Sequence, residues 1–366
     1  MSDKTYILGI ESSCDETAAA VLEYDGVRPV VLSNVIASQI SEHKPYGGVV
    51  PEIAARSHVE KIDEVIEHAL LQSGIKLDEI DAVAATSGPG LIGGVIVGML
   101  AAKGICIGAN KPFVAVNHLE GHALSPRLNN DVAFPYLLLL VSGGHCQILR
   151  VDGVGQYSRL GSTIDDALGE AFDKVAKILG LGYPGGPLVE ARAKLGNAKA
   201  FELPRPLIGR AGCDFSFAGL KTAVLRLCEK IYDEKGALSD DDINDICASF
   251  QYTIIRVLKD RLKNAFAACE FAENNRRLVI AGGVAANQKI RGELSDFCGD
   301  MGWQIFYPEL KYCGDNGAMI ALVGLEYFNS GISHPLATKP KPRWPLDADA
   351  APLQIKNGYG KKGAKA

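Results

Sequence analysis

Two stretches of this chain, opening at Tyr6 and at Tyr136, run through one pattern: an apolar strand, a polar or glycine-rich turn, then a returning apolar strand. In the first, residues 6–10 are apolar, 11–17 (ESSCDET) make the turn, and 18–22 and 30–36 resume strand character. In the second, 136–141 lead into the turn 142–145 and out along 146–151. Helical periodicity follows each opening. The spacing predicts a helix over 51–72, with Ile53, Ile62, Val65, Ile66 and Leu70 on one face, then a strand over 81–86, a turn at 87–90, a helix over 91–108, and a strand and helix from 112. After the second opening it predicts helices over 164–179, 187–195 and 241–272, a strand over 278–281, a helix over 284–298, and closing elements at 303–306 and 317–328. Strands alternating with helices imply an α/β layer structure. Two βββαβα halves facing one another bring three glycine turns around a single cleft.

The 366 residues, 47% of them hydrophobic, exceed one ordinary domain, so two lobes are the expectation. Nine cysteines form no C-x-x-C pair, which argues against a disulfide framework or zinc ribbon and for buried thiols in a reducing compartment. The N-terminus runs straight into the first strand without the charged, apolar and small-residue blocks of an export signal, so a cytoplasmic location is expected. The apolar stretch 91–108 contains Lys103 and five glycines and reads as a buried helix, not a membrane span. A net charge of −5 means that any nucleic-acid contact is local or shared with partners. Beyond Gly331, seven Lys or Arg stand against two Asp, and the segment 341–366 reads as a basic, flexible tail.

The clearest chemical signal is His118-Leu119-Glu120-Gly121-His122, because histidines four apart share one face of a helix and can hold one ion. An isolated H-x-x-x-H more often packs a helix start. A metalloprotease would need H-E-x-x-H, with its general base beside the first ligand. Here the acid comes two residues on, rotated by about 200° and so directed away from the ion. The Cys313–Gly317 turn offers Asp315 as a third ligand, although an aspartate before a helix is more often an N-cap.

Three glycine turns, 9–17, 140–145 and 282–287, could let backbone N–H groups approach phosphate; none carries G-K-[ST] or G-x-G-x-x-G, and singly each is ordinarily just a turn. The helix from 164 carries Asp165, Asp166, Glu170 and Asp173 and leads into the rigid turn Tyr183–Pro187. A charged helix face is usually only solvated, but a carboxylate beside such a turn can accept from ribose hydroxyls.

Together GIESSCDETA (9–18), PGLIGG (89–94), NHLEGHALSP (117–126), LVSGGH (140–145), IDDALGEAFDKVAKILGLGYPGGP (164–187), FSFAGLKTA (215–223), GGVAAN (282–287) and CGDNGAM (313–319) resemble the tRNA N6-adenosine threonylcarbamoyltransferase family, bacterial type, over about residues 5–335. The family was once labelled an O-sialoglycoprotein endopeptidase. The resemblance implies a two-lobed actin-like ATPase (ASKHA) fold with a nucleotide cleft. The lobes would be 1–130, completed by about 316–340, and 131–315. It implies transfer of threonylcarbamoyl from threonylcarbamoyl-AMP to N6 of adenosine 37 in tRNAs reading codons that begin with A, with release of AMP. It further implies one divalent metal, iron before zinc, on His118, His122 and Asp315. Substrate contacts would come from the backbone of Leu140, Val141, Ser142, Gly143 and Gly144 at the phosphate end, with Asp173 and Gly186 on ribose and Asn287 on the adenylate or its phosphate. Glu190 stands where the family commonly has aspartate, which changes the reach of its hydroxyl contact. Expected partners are tRNA, a homologous non-catalytic subunit and a small ATPase subunit, with no membrane. A small-molecule kinase of the same fold would have no use for the histidine pair, and a nucleotide-regulated scaffold would need no metal.

Overall fold

The computed structural model describes residues 4–350 and contains two five-stranded mixed sheets. The first is built from β1 (Thr5–Glu11), β2 (Glu16–Tyr24), β3 (Pro29–Ser38), β4 (Ala82–Gly88) and β5 (Phe113–Asn117), in the order β3-β2-β1-β4-β5. The second uses β6 (Tyr136–Val141), β7 (Cys146–Gly153), β8 (Gln156–Ser162), β9 (Arg277–Ala281) and β10 (Gln304–Phe306), in the order β10-β9-β6-β7-β8. The pairings correspond strand for strand. β1–β2–β3 and β6–β7–β8 are antiparallel meanders, while β1–β4–β5 and β6–β9–β10 run parallel. The repeat read from the sequence is therefore a structural duplication.

Helices α1 (Ile40–His43), α2 (Pro51–Ser73), α3 (Ile92–Ala109) and α4 (His118–Leu124) belong to the first half, and α5 (Leu168–Ile178), α6 (Gly185–Ala193), α7 (Ala218–Lys235), α8 (Asp240–Ala268) and α9 (Gln288–Asp300) to the second. The last, α10 (Gly317–Asn329), returns to the first sheet. Because strand side chains alternate between faces, Leu8 and Ile10 of β1 pack with Ile62 and Val65 of α2, whereas Ile7 packs with Met319, Ile320 and Val323 of α10. Contact between α10 and the strands is backbone to backbone. A Cβ on Gly9 would overlap the Ala321 amide and the Gly317 carbonyl, and one on Gly317 would overlap Ala19 and Ala20. Gly9→Ala is therefore expected to destabilise the fold by about 1–3 kcal/mol, read as a lowered urea midpoint at unchanged m.

Three expectations need correction, and two elements escaped notice. The helix predicted from 164 starts at Leu168, with Glu170 accepting from the Ala167 amide, while Asp165 accepts from Ser216 Oγ and the amides of Phe217 and Ala218 at the start of α7. Neither α7 nor β8 stood out in the sequence. Only one side of α3 is buried, through Gly94, Val95, Gly98, Met99, Ala102 and Cys106; Ile96, Leu100 and Ile107 are exposed. Its length and apolarity would suffice to cross a membrane, yet here it lies on β4. Finally, residues 341–350 are no loose tail. Lys341 N–H donates to Ser87 O at 2.7 Å, and Asp347 accepts from Arg159 N–H at 2.7 Å. Residues 351–366 lie outside the described residues.

Candidate active site

A cleft of about 670 Å³ opens between the two sheets, lined by Ser13–Glu16 after β1, Ser142–His145 after β6, and Gly283, Val284, Ala286 and Asn287 after β9. These are the three turns read from the sequence. Gly282 has φ +97°, and a Cβ there would overlap the Val141 carbonyl, so only glycine lets the ends of β6 and β9 lie side by side at the cleft. Gly143, Gly144 and Gly186 differ: a Cβ on any of them meets no atom within 4 Å and would project into open space.

His118 and His122 stand on α4, which starts where β5 ends and is wedged between the sheets. Gly121 lies against Met319 and Ile320 of α10, while Leu119 and Ala123 pack under β6. Asp315 lies in the turn before α10. It is not the helix cap expected of an aspartate there; Asn316 caps α10 through Met319 N–H at 3.0 Å, which leaves Asp315 to face the histidines. His122 Nε2 is 3.0 Å and His118 Nε2 3.6 Å from Asp315 Oδ1, and one ligand atom from each of the three lies within 4.8 Å of the others. A tetrahedral ion with ligands at about 2.0–2.1 Å has edges of about 3.3 Å, which the two imidazole–carboxylate separations bracket; the widest gap, up to 4.8 Å, has to close by side-chain rotation for all three to hold one ion. His118 Nδ1 meets Glu11 Oε2 at 2.9 Å and Ser13 Oγ at 3.0 Å, the outer carboxylate that typically orients a ligating imidazole. Glu11 itself accepts from Thr86 Oγ1 at 2.5 Å.

The electrostatics follow from this crowding. Burial opposes charge on His118, but Asp315 and Glu11 outweigh it and hold its pKa up at about 9. Burial likewise works against the Asp315 carboxylate, and His118 and His122 more than reverse that, lowering its pKa. His145, also in the cleft, is pushed down to about 3 by burial and by the two neighbouring imidazoles. Its Nε2, like His122 Nδ1, is buried without a hydrogen-bond partner among the described residues.

Glu120 turns away from this group, as the helical rotation requires. It accepts from Gly155 N–H at 2.8 Å, Tyr157 OH at 2.9 Å and Tyr327 OH at 2.8 Å. Glu120→Gln puts an amide NH₂ among three donors. The expected result is a loss of about 1–3 kcal/mol of stability with metal content unchanged, read by thermal unfolding and elemental analysis. Loss of metal without loss of stability would contradict this placement.

The remaining site residues are not equivalent. Leu140 and Val141 finish β6 with their side chains in the core, and of residues 140–144 only Ser142, Gly143 and Gly144 line the cleft. Asp173 lines it too, with Oδ1 accepting from Gly185 N–H at 2.7 Å, which braces the turn bearing Gly186; burial raises its pKa. Glu190 reaches across to accept from Gln288 N–H at the start of α9, 2.9 Å away. Asn287 caps α9 through Ile290 N–H and donates to Gln251 Oε1 at 2.9 Å, so both ends of its amide are engaged within the protein. Sequence reasoning passed over Glu11, Ser13 and His145. All three lie inside quoted motifs, but their residue types alone give no direction.

The profile of the family described as tRNA N6-adenosine threonylcarbamoyltransferase matches residues 30–322. The chain is 56% identical over 366 residues to the protein of that name from Rhizobium leguminosarum bv. trifolii (strain WSM2304), covering 98% of each chain. It is 55% identical to the one from Chelativorans sp. (strain BNC1), covering 99% of this chain and 100% of the other. Among solved structures it superposes on full-length HypF in the phosphate- and nucleotide-bound form, with TM-score 0.55 and 14% identity over 88% of this chain and 46% of that one. It also superposes on the activator of the 2-hydroxyisocaproyl-CoA dehydratase from Clostridium difficile with bound ADPNP, with TM-score 0.50 and 14% identity over 89% and 97%. At such identities these two likenesses speak for the fold alone, an actin-like ATPase fold.

Proposed function

The chain belongs to the tRNA N6-adenosine threonylcarbamoyltransferase family and forms N6-threonylcarbamoyladenosine in tRNA, and from that membership we propose how its cleft does so. The observation that carries the proposal is the position of the His118, His122 and Asp315 group at the wall of the cleft that the three glycine turns line.

The donor is threonylcarbamoyl-AMP. Its phosphate lies against the open backbone of Ser142, Gly143 and Gly144, its ribose hydroxyls near Asp173, Gly186 and Glu190, and its adenylate or phosphate beside Asn287. Two imidazoles and one carboxylate are a set that suits Fe(II) and also accepts zinc. When bound, the ion supplies Lewis-acid polarisation of the carbamoyl oxygen. Glu11 and Ser13 hold His118 in place, and the glycine turns fix the adenylate so that the carbamoyl carbon is presented to the incoming amine. The N6 amine of adenosine 37, in tRNAs reading codons that begin with A, attacks that carbon. A C–N bond forms, the C–O bond to phosphate breaks, AMP leaves and the amine releases a proton. No acyl-enzyme is needed: burial and Asp15 hold the thiol of Cys14 well above the usual cysteine range, so it is a poor nucleophile.

We place the lobes at 1–130 with 316–340 and at 131–315, and the enzyme in the cytoplasm. An apolar groove of about 600 Å³ lies between α2 and α3, lined by Ile66, Leu70 and the exposed Leu71 on one side and Ala101 and Ile105 on the other, and α3 also exposes Leu100 and Ile107. That surface suits a homologous non-catalytic subunit, and a small ATPase subunit completes the proposed assembly. The direct test is nucleoside mass spectrometry of tRNA from cells depleted of this protein. Threonylcarbamoyladenosine is expected to fall to a residue of its normal level and to return when the purified protein and its partners receive threonylcarbamoyl-AMP and the unmodified tRNA. Normal levels after depletion, with no second copy present, would overturn the reading.

A further inference from the structure

Residues 332–350 form neither helix nor strand beyond a single bridge at His334, yet they are tied along their whole length. His334 N–H donates to Phe113 O at 2.7 Å, and its Nδ1 accepts from Ala115 N–H at 3.2 Å. Lys103 Nζ reaches Thr338 O at 2.5 Å. The chain then passes over the C-terminal ends of β4 and β5. Lys341 N–H donates to Ser87 O at 2.7 Å, and Pro342 O accepts from Gly90 N–H at 3.3 Å. The approach is so close that a Cβ on Gly88 would overlap the Lys341 carbonyl.

From there two routes lead to one histidine. Asn117 is the N-cap of α4, with Oδ1 accepting from Leu119 N–H at 2.9 Å, while its Nδ2 donates to Trp344 O at 3.0 Å. A planar amide bonded at both ends has no freedom to rotate, so the Trp344 carbonyl fixes the cap and with it the first turn, which begins at His118. Along the second route, Gly90 is held by Pro342, the next amide, Leu91 N–H, donates to Ser13 O at 2.7 Å, and Ser13 Oγ meets His118 Nδ1 at 3.0 Å. Beyond Trp344 the segment crosses to the other sheet. Leu346 packs in the cluster that holds Tyr136, Leu138 and Leu149, and Asp347 Oδ2 accepts from Arg159 N–H of β8 at 2.7 Å. Asp347 Oδ1 locks the end by accepting from the amides of Asp349 and Ala350, both at 3.0 Å.

We propose that residues 341–347 are a positioning strap that sets the His118 side of the metal centre and ties its geometry to the second sheet. This rests on the metal reading given above, and metal affinity reports on both. The measurement is competition for Co²⁺ against a chromogenic chelator, with the d–d spectrum of the bound ion as a second readout, on four full-length or shortened proteins. Ending the chain after Ala350 removes only 351–366 and is expected to leave affinity and spectrum as in wild type. Ending it after Pro340 is expected to weaken Co²⁺ binding about 10–100-fold, as loss of an outer-shell support does, and to shift the spectrum. Should that protein fail to fold, Asn117→Asp decides the matter. It keeps the cap acceptor and adds a negative charge beside the ion, which by charge alone would tighten binding, but it turns an oxygen toward the Trp344 carbonyl; at least tenfold weaker binding is expected. Asp347→Ala, remote from the ion, is expected to shift the spectrum in the same sense. Unchanged affinity and spectrum in Asn117→Asp, or in a folded Pro340 truncation, with wild type binding the ion, would overturn the strap alone. Wild type that binds no ion would remove the centre and the strap's role together.

Discussion

Replacing His118 and His122 together by alanine is expected to abolish stoichiometric metal binding and threonylcarbamoyl transfer at once. The three candidate ligand atoms lie within 4.8 Å of one another, two from α4 and one from the turn before α10, which the packing of Gly121 against Met319 and Ile320 holds together. One carboxylate left alone at such a site has no chelate partner, so affinity should fall at least about 100-fold. His122 is fully buried and its truncation leaves a cavity in α4, which makes a loss of fold a competing explanation. Asp315→Asn removes that ambiguity. It preserves size and one acceptor oxygen but withdraws the negative charge that offsets the charge of the bound cation, and about tenfold or greater loss of metal is expected in a protein with wild-type unfolding behaviour. Elemental analysis after dialysis against a chelator reads both variants. Wild-type metal content in either would place the ion elsewhere.

What was readable in the sequence followed from local rules. The histidine pair is legible because a four-residue spacing on a helix has one geometric meaning, and Glu120 because a two-residue offset has another. The duplicated sheet is legible because a buried strand followed by a glycine turn occurs twice with the same continuation. The parts that escaped depend on tertiary partners. Glu11 is an acid in a polar loop until β1 and β5 set it 2.9 Å from His118. Asp165 looked like part of an acidic helix face, but its oxygens find the amides at the start of α7, some fifty residues on, and α5 starts three residues later, where Glu170 accepts from the Ala167 amide. Helix α3 looked fully buried because its glycines and aliphatic residues surround it on all sides, and only the sheet decides which side is covered. The 341–347 strap carried a basic, proline-rich composition typical of loose termini, whereas its order comes from backbone groups, which composition does not register.

Gly143→Val is expected to weaken adenylate binding at least about tenfold, roughly 1.4 kcal/mol, while leaving the fold intact. The prediction separates two kinds of glycine in the same cleft. At Gly282 a side chain would strike the Val141 carbonyl and would have to adopt a φ of +97°, so valine there damages the sheet ends and any loss of binding is uninformative. Gly143 is free of both constraints: its φ is not in the left-handed region, and no atom lies within 4 Å of where a Cβ would stand. What that space adjoins is the cleft itself, between Ser142, whose N–H and Oγ are bound within the turn to His145 O and N–H, and Asp173 on the far side. An isopropyl group there would displace a phosphate that approaches the backbone and would displace nothing else. Calorimetry with AMP as the probe, paired with thermal unfolding, reads the two effects separately. A wild-type melting temperature with weakened AMP binding is the expected pair. Unchanged AMP affinity would mean that the phosphate does not lie on the Ser142–Gly144 turn.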